Sequence, residues 1–360
     1  MITSFHCYYI RQGLRPVIAI SSFFATSGST ATRQQCDEFA SSLAGGSHVC
    51  PVQIQGTFSY TGTAETDKKT VLFQFRVHES SLDMETVRLA KTIHPQFVAS
   101  CKYHGIIGEQ SSRPLHIYEM DTIPGTPYIM ARDISTAQPL DAVLQQRNTV
   151  KDLAKFFAQS WNAGQLASQD DSGTLLNELR DKFNLLARSL PPQFALNLGK
   201  VLQALPALFG RLPLVLTHGD LCEMNILINP TTGSITGIVD WAEARVLPFG
   251  FSLYGLENIL GCMDSKGWRY YDNHGELEGL FWHAFSEGVG GSGSGGGLSA
   301  DSLQLMRLAR MAGFFYRYGF DVDGKDVKGV VDWQNDASSL AYLDAFCSAD
   351  NLLSTPNDRN

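Results

Sequence analysis

Two hydrophobic periods share the chain, the strand-like one early and the helix-like one late. In residues 70–77, Val71, Phe73, Phe75 and Val77 fall on one face and Leu72, Gln74 and Arg76 on the other, the two-residue repeat of a half-buried strand. Shorter apolar runs predict further strands at 52–55 and 114–118. The first leads into a Gly-containing turn over 56–62, and the second ends in a Pro124-Gly125 reversal. Helical spacing begins at 32–43, with Thr32 as cap and Phe39, Ala40 and Leu43 on one stripe, and again at 82–93. Later it dominates. Val150, Leu153, Ala154, Phe157, Ala158 and Trp161 recur at i, i+3, i+4, i+7, i+8 and i+11, an amphipathic helix whose stripe is core. Further helices are predicted at 174–189 and 194–208, at 302–318 with Leu305, Leu308, Ala309, Ala312 and Phe315, and at 336–346.

Between 216 and 244 the pattern breaks around polar residues: Leu216-Thr-His-Gly-Asp-Leu-Cys-Glu-Met-Asn-Ile-Leu-Ile-Asn229, then Gly237-Ile-Val-Asp-Trp-Ala-Glu-Ala244. Four residues separate Asp220 from Asn225, the spacing at which a phosphoryl-transfer loop sets a proton-accepting Asp and a metal-binding Asn. The apolar run Ile226-Leu-Ile228, the turn residues Asn229-Pro-Thr-Thr-Gly233 and the run Ile235-Thr-Gly-Ile-Val239 predict a hairpin. With Asn229 opposite Ile235, Asn225 faces Val239 across about 5 Å. Asn225 and Asp240 then meet at one end, where an amide and a carboxylate oxygen suit Mg²⁺. Asp220 stays nearby as base. His218 reads as a packed support under the loop, because the base position is already filled. Cys222, flanked by Asp220 and Glu223, reads as an inert thiol. Glu243 reads as structural support beside Asp240. The competing reading is a solvated hairpin whose Asp and Asn residues cap turns.

His218-Gly-Asp220, Asn225 and Ile238-Val-Asp-Trp241 resemble the aminoglycoside phosphotransferase family, over about residues 32–346. Asp240-Trp-Ala-Glu-Ala244 and Leu247-Pro-Phe-Gly250 are similar to a fungal branch of it. The resemblance implies an α+β, two-lobe protein-kinase-like fold, with a small antiparallel-sheet N-lobe at 32–121 and a mainly helical C-lobe at 122–348. It implies ATP and Mg²⁺ as cofactors and the hydroxyl of a small molecule as acceptor. Asp220 would orient that hydroxyl, Asn225 and Asp240 would hold metal, Gly56 and Ser59 would face phosphate, and Met120, Asp121 and Ile123 would flank adenine. One position departs from the family. The strand that normally supplies a phosphate-binding Lys offers Gln74 and Arg76 instead, with Glu85 on the next helix as the expected partner. Arg76 is either the replacement charge or an exposed edge-strand residue. A non-catalytic nucleotide- or ligand-binding scaffold therefore stands as the alternative. A protein kinase comes third, since no A-P-E segment follows Asp240.

Composition narrows the surroundings. The 360 residues, 44% hydrophobic, suffice for two packed lobes. A net charge of -8 argues against nucleic-acid and anionic-membrane partners. Seven cysteines with no C-x-x-C pair indicate a reducing compartment, by default the cytoplasm. Residues 1–31 contain no Asp or Glu, carry Arg11 and Arg15, and read as a disordered or targeting-like extension; a transit peptide would place the protein in mitochondria. The Gly-rich stretch 288–297 reads as a flexible loop and 349–360 as a loose tail. Neither the acceptor nor the oligomeric state is encoded in a readable motif.

Overall fold

Alternation in the first third of the chain builds one antiparallel sheet in the computed structural model, which describes residues 16–109, 113–135, 139–164, 169–290, 299–323 and 326–348. Its strands are β1 (Cys50–Pro51), β2 (Ser59–Glu65), β3 (Thr70–Arg76), β4 (Cys101–Ile107) and β5 (Leu115–Asp121), in the order β1-β2-β3-β5-β4. Val71, Phe73 and Phe75 of β3 are buried with Tyr60, Leu115 and Ile117 in one apolar cluster. Gln74 and Arg76 face the opposite side, toward a cleft. Arg76 lies on a central strand and is 3% exposed, so the edge-strand reading does not hold.

Two expectations for this region are corrected. No strand forms over 52–55. Instead the Gln55 side chain pairs with β2 as a strand would, donating to the Thr61 carbonyl and accepting from the Thr61 amide, both at 2.8 Å. Gly62, expected in a turn, lies inside β2 opposite Phe73. The segment before residue 32 also belongs partly to the fold. Pro16–Thr26 is a helix that buries Ile20 and Phe23 in the sheet's apolar cluster and sets Phe24 5.4 Å from the Tyr60 ring. The i, i+3 spacing of Ile20 and Phe23 puts both on one face of that helix. Residues 1–15, the 291–297 part of the Gly-rich stretch and the tail 349–360 lie outside the described residues.

The second lobe is helical. Leu140–Asn162, Gln169–Ser189, Ala195–Arg211, His274–Gly288, Ala300–Tyr318 and Ala337–Cys347 surround one continuous core that includes Val150, Leu153, Ala154 and Phe157 from the predicted stripe. Among the described residues no helix is long and apolar enough to cross a membrane.

Two short ladders in this lobe suspend the polar loops between them. Leu214–Thr217 pairs with Arg245–Pro248, ending at Thr217 opposite Arg245. Ile226–Ile228 pairs with Ile235–Ile238, ending at Ile226 opposite Ile238. The loops 218–225 and 239–244 are thus clamped at both ends. The expected facing of Asn225 and Val239 holds, with the Val239 amide donating to the Asn225 carbonyl at 2.9 Å. The register expected at the turn does not. An irregularity between Leu227 and Ile228 shifts it by one, so Asn229 bonds Ser234 rather than facing Ile235.

Candidate active site

The loop after Thr217 turns sharply at Gly219, whose φ is +79°. A Cβ there would stand 2.2 Å from the Glu243 carbonyl oxygen, so the two loops approach closely only because residue 219 lacks a side chain. His218 lies beneath. Its Nδ1 accepts from the Asp220 amide at 3.3 Å, which leaves Nε2–H to donate to the Val239 carbonyl at 2.9 Å. Both nitrogens are engaged, the ring sits edge-on to Trp241 at 4.7 Å, and burial lowers its pKa. A neutral His fixed in one tautomer props the loop, as its position suggested. Cys222 is buried and its thiol pKa is pushed well up by that burial, in keeping with an inert thiol.

Asp220, Asn225 and Asp240 converge on the floor of a cleft of about 480 Å³ between the lobes. The Asn225 side-chain amide donates to the Asp220 carbonyl at 2.9 Å and to Asp220 Oδ2 at 3.1 Å. Asp220 Oδ1 accepts from Arg317 Nη2 at 2.5 Å. Asp240 takes a left-handed backbone conformation, φ 65° and ψ 69°, and leaves its side chain 43% exposed to the cleft. Desolvation, the largest single influence, works to raise the Asp240 carboxyl, but the combined pull of Arg76, His218 and the Ala242 amide holds the pKa below the ordinary carboxylate range. One carboxylate and one amide at the end of a hairpin, facing open space, fit what Mg²⁺ takes from a protein when phosphates complete its shell. Among the described residues no cluster of three or more His, Cys, Asp or Glu would hold a metal by itself.

From the sheet, Arg76 reaches across the cleft. Its Nη1 donates to Asp240 Oδ1 and to Gln74 Oε1, both at 3.0 Å, while Nε and Nη2 donate to the Ser80 carbonyl and hydroxyl, each at 2.6 Å. Gln74 Nε2 in turn donates to Ser59 and Thr61 hydroxyls at 3.3 Å. Gly56 and Ser59 line the same cleft, as do Met120 and Asp121 on its far side. Two placements differ from expectation. Glu85 does not meet Arg76; it is 85% exposed in the first turn of the helix Met84–Ile93 and pairs with Arg88. Ser80 takes the partner's place. Asp121 has its carboxylate on Lys69 and its amide on the Ser100 carbonyl, so it borders the crossing between the lobes without offering that amide.

Sequence reasoning missed Arg317 and Arg132. Arg317, in the last turn of Ala300–Tyr318, also lies 3.6 Å from Glu243, whose carboxyl is raised by desolvation against the pull of Arg317. Arg132 pairs at 2.9 Å with Glu223 of the loop, and both side chains are nearly fully buried. The available signal was charge placement, an Arg after the apolar stretch 311–316 and an acidic residue inside a buried loop.

The model of the phosphotransferase enzyme family matches residues 84–266, slightly more than half of the chain. No curated protein sequence matches. Aminoglycoside phosphotransferase APH(4)-Ia is similar in structure, with 13% identity, 88% of this chain and 98% of that chain covered, and a TM-score of 0.51. A thermostable mutant of that enzyme, in ternary complex with AMP-PNP and hygromycin B, matches at 13% identity over 89% of this chain and 99% of that one, TM-score 0.51. At such identity the likeness shows the fold, a two-lobe kinase-like architecture with an antiparallel N-terminal sheet and a helical C-terminal part.

Proposed function

The chain belongs to the APH phosphotransferase enzyme family, and on that premise we propose that it moves the terminal phosphoryl group of ATP, with Mg²⁺, onto a hydroxyl of a small molecule. The observation that carries this reading is the meeting of Asp220, Asn225 and Asp240 on one cleft floor, with Arg76 arriving from the other lobe. Asp220 meets the acceptor hydroxyl. Its two oxygens are each held by one donor, which fixes the carboxylate while leaving lone pairs for the incoming O–H. As the acceptor oxygen bonds the terminal phosphorus, the bond from that phosphorus to the ADP oxygen breaks, ADP leaves and the hydroxyl proton passes to Asp220.

Asn225 and Asp240 would hold Mg²⁺ together with the phosphates. The cation supplies charge neutralisation there. Arg76 stands where a second positive charge meets the phosphates, and Gln74, Ser59 and Gly56 line their path. Met120 and Asp121 border the adenine end, with the contact falling on the chain just after Asp121.

Asp240→Asn tests the assignment. The expected outcome is a folded protein with turnover abolished and the Mg²⁺-dependent part of its ATP-induced thermal shift lost. In the wild type, nucleotide at about 100 times its dissociation constant adds about 2.7 kcal/mol. Undiminished ATP consumption by Asp240→Asn, measured over a panel of hydroxylated metabolites, overturns the reading. A nucleotide shift in the wild type with no turnover on any acceptor favours the scaffold alternative, which the Arg76 substitution keeps in play.

A further inference from the structure

Among the described residues five carboxylates line the cleft, and four of them accept hydrogen bonds from inside the protein: Asp121 from Lys69, Asp220 from Arg317 and Asn225, Glu223 from Arg132, and Asp240 from Arg76. Glu243 is the fifth. Its side chain is 40% exposed, Arg317 Nη1 stands 3.6 Å from it, and among the described residues no donor hydrogen-bonds its carboxylate. Arg317 gives its short bond to Asp220, so one guanidinium serves two carboxylates and leaves Glu243 with acceptor capacity facing the cleft.

Glu243 is also the spatial neighbour of Asp220. A Cβ on Gly219, the residue before Asp220, would stand 2.9 Å from Glu243 Cβ, and the two carboxylates flank the same guanidinium, one beside each Nη. A molecule whose hydroxyl meets Asp220 brings its neighbouring atoms within reach of Glu243. An ionised carboxylate only accepts, so the group that complements it there is a hydrogen-bond donor.

We propose that Glu243 selects the acceptor, by taking a hydrogen bond from a second donor group, a hydroxyl or a protonated amine, carried one or two carbons from the hydroxyl that meets Asp220. The proposal rests on reading Asp220 as the residue that meets the acceptor. The second group is bound and not transferred; the bonds that form and break are those of the phosphoryl transfer itself. An acceptor without that group covers Glu243 and gives it no donor, a loss that is larger for a charged group than for a neutral one.

Ethanol, ethane-1,2-diol and protonated 2-aminoethanol differ only in the group on the second carbon, and they test it. The full chain is supplied with Mg-ATP and equimolar pairs of these alcohols at about pH 8, where a Glu243 carboxyl raised to about 7 by burial is ionised, and phosphoesters and orthophosphate are measured by ³¹P NMR. The product ratio within a pair is the ratio of kcat/KM values. The expected result is transfer to each donor-bearing alcohol about tenfold or more above ethanol, per hydroxyl. Equal yields, ethanol ahead, or ATP hydrolysis with no phosphoester each overturn the proposal. Glu243→Ala should bring both ratios close to one. Glu243→Gln keeps an oxygen that accepts but carries no charge, so it should retain the preference for the diol and lose most of that for the amine. If Glu243 only supported the loop, both variants would lower all yields together and keep the wild-type ratios, and that result in folded variants overturns the proposal. Should Glu243→Ala fail to fold, the amine-to-diol ratio of the isosteric Glu243→Gln decides. A wild type that consumes no ATP with any of the alcohols or with water defeats the phosphotransferase reading and this proposal with it, whereas ATP consumption without preference defeats this proposal alone.

Discussion

Arg76 divides one guanidinium among the Ser80 carbonyl, the Ser80 hydroxyl, Gln74 and Asp240, an arrangement only a planar fork satisfies. Arg76→Lys would restore the family's usual residue type and still lose most of these bonds. Its expected cost is about 2–3 kcal/mol of stability, with a smaller Mg-ATP thermal shift; urea unfolding that finds the variant as stable as wild type would show that the fork is dispensable. Alternation along β3 was enough to place Gln74 and Arg76 on the cleft face. The partner was not legible, because the Arg side chain folds back onto residue 80 of its own chain rather than across to a helix. A second residue governs response to acid. His94 is fully buried, held by Gln159 at 3.0 Å and Ser160 at 3.2 Å and stacked on Phe156, and burial pushes its pKa down to about 4. Unfolded, the same imidazole titrates near 6.5, so between those values the unfolded chain holds the extra proton and stability falls as pH falls. The loss is about 3 kcal/mol from pH 7 to below 4 from this group, and urea midpoints of wild type and His94→Gln across that range should converge toward acid.

At the scale of elements, the helix Ala300–Tyr318 shows what periodicity reveals and what it omits. Its buried Leu305, Ala309, Ala312 and Phe315 follow the predicted stripe. That its last turn delivers Arg317 to Asp220, 97 positions earlier, depends on how closely the helix approaches its neighbours. Gly313 sets that approach, since a Cβ there would lie 2.0 Å from the Phe251 carbonyl oxygen. Gly313→Ala should therefore displace the helix, costing about 1–3 kcal/mol in stability and lowering kcat through Asp220 more than it raises KM for ATP. Steady-state kinetics with unchanged kcat would uncouple the helix from the site. The hairpin gives the complementary lesson. Turn residues and apolar runs located it and matched Asn225 to Val239, whereas the one-residue irregularity between Leu227 and Ile228, which leaves Thr236 without an opposite residue, could not be read from the pattern.

Across the whole molecule, the division into a sheet lobe and a helical lobe was legible because the hydrophobic period itself changes. The outer edge of the first lobe was not. The helix Pro16–Thr26 lacks acidic residues and was set apart on composition, yet Ile20 and Phe23 close one side of the sheet's apolar cluster. Removing residues 1–31 should cost about 3–6 kcal/mol, from two large side chains taken from burial, and lower the melting temperature. A truncated chain that melts with the full-length protein would return this segment to the status of an extension. Least legible was the pairing of the carboxylates around the site, because it brings together residues as distant as Arg132 and Glu223. The left-handed backbone of Asp240 reaches beyond this one chain. A non-glycine residue in that conformation carries a cost on the order of 1 kcal/mol, which Gly would relieve. If Asp240 serves phosphate transfer as proposed, then in descendants that had lost the activity selection would no longer oppose that relief, and the residue found at this one position would sort working enzymes from retired ones.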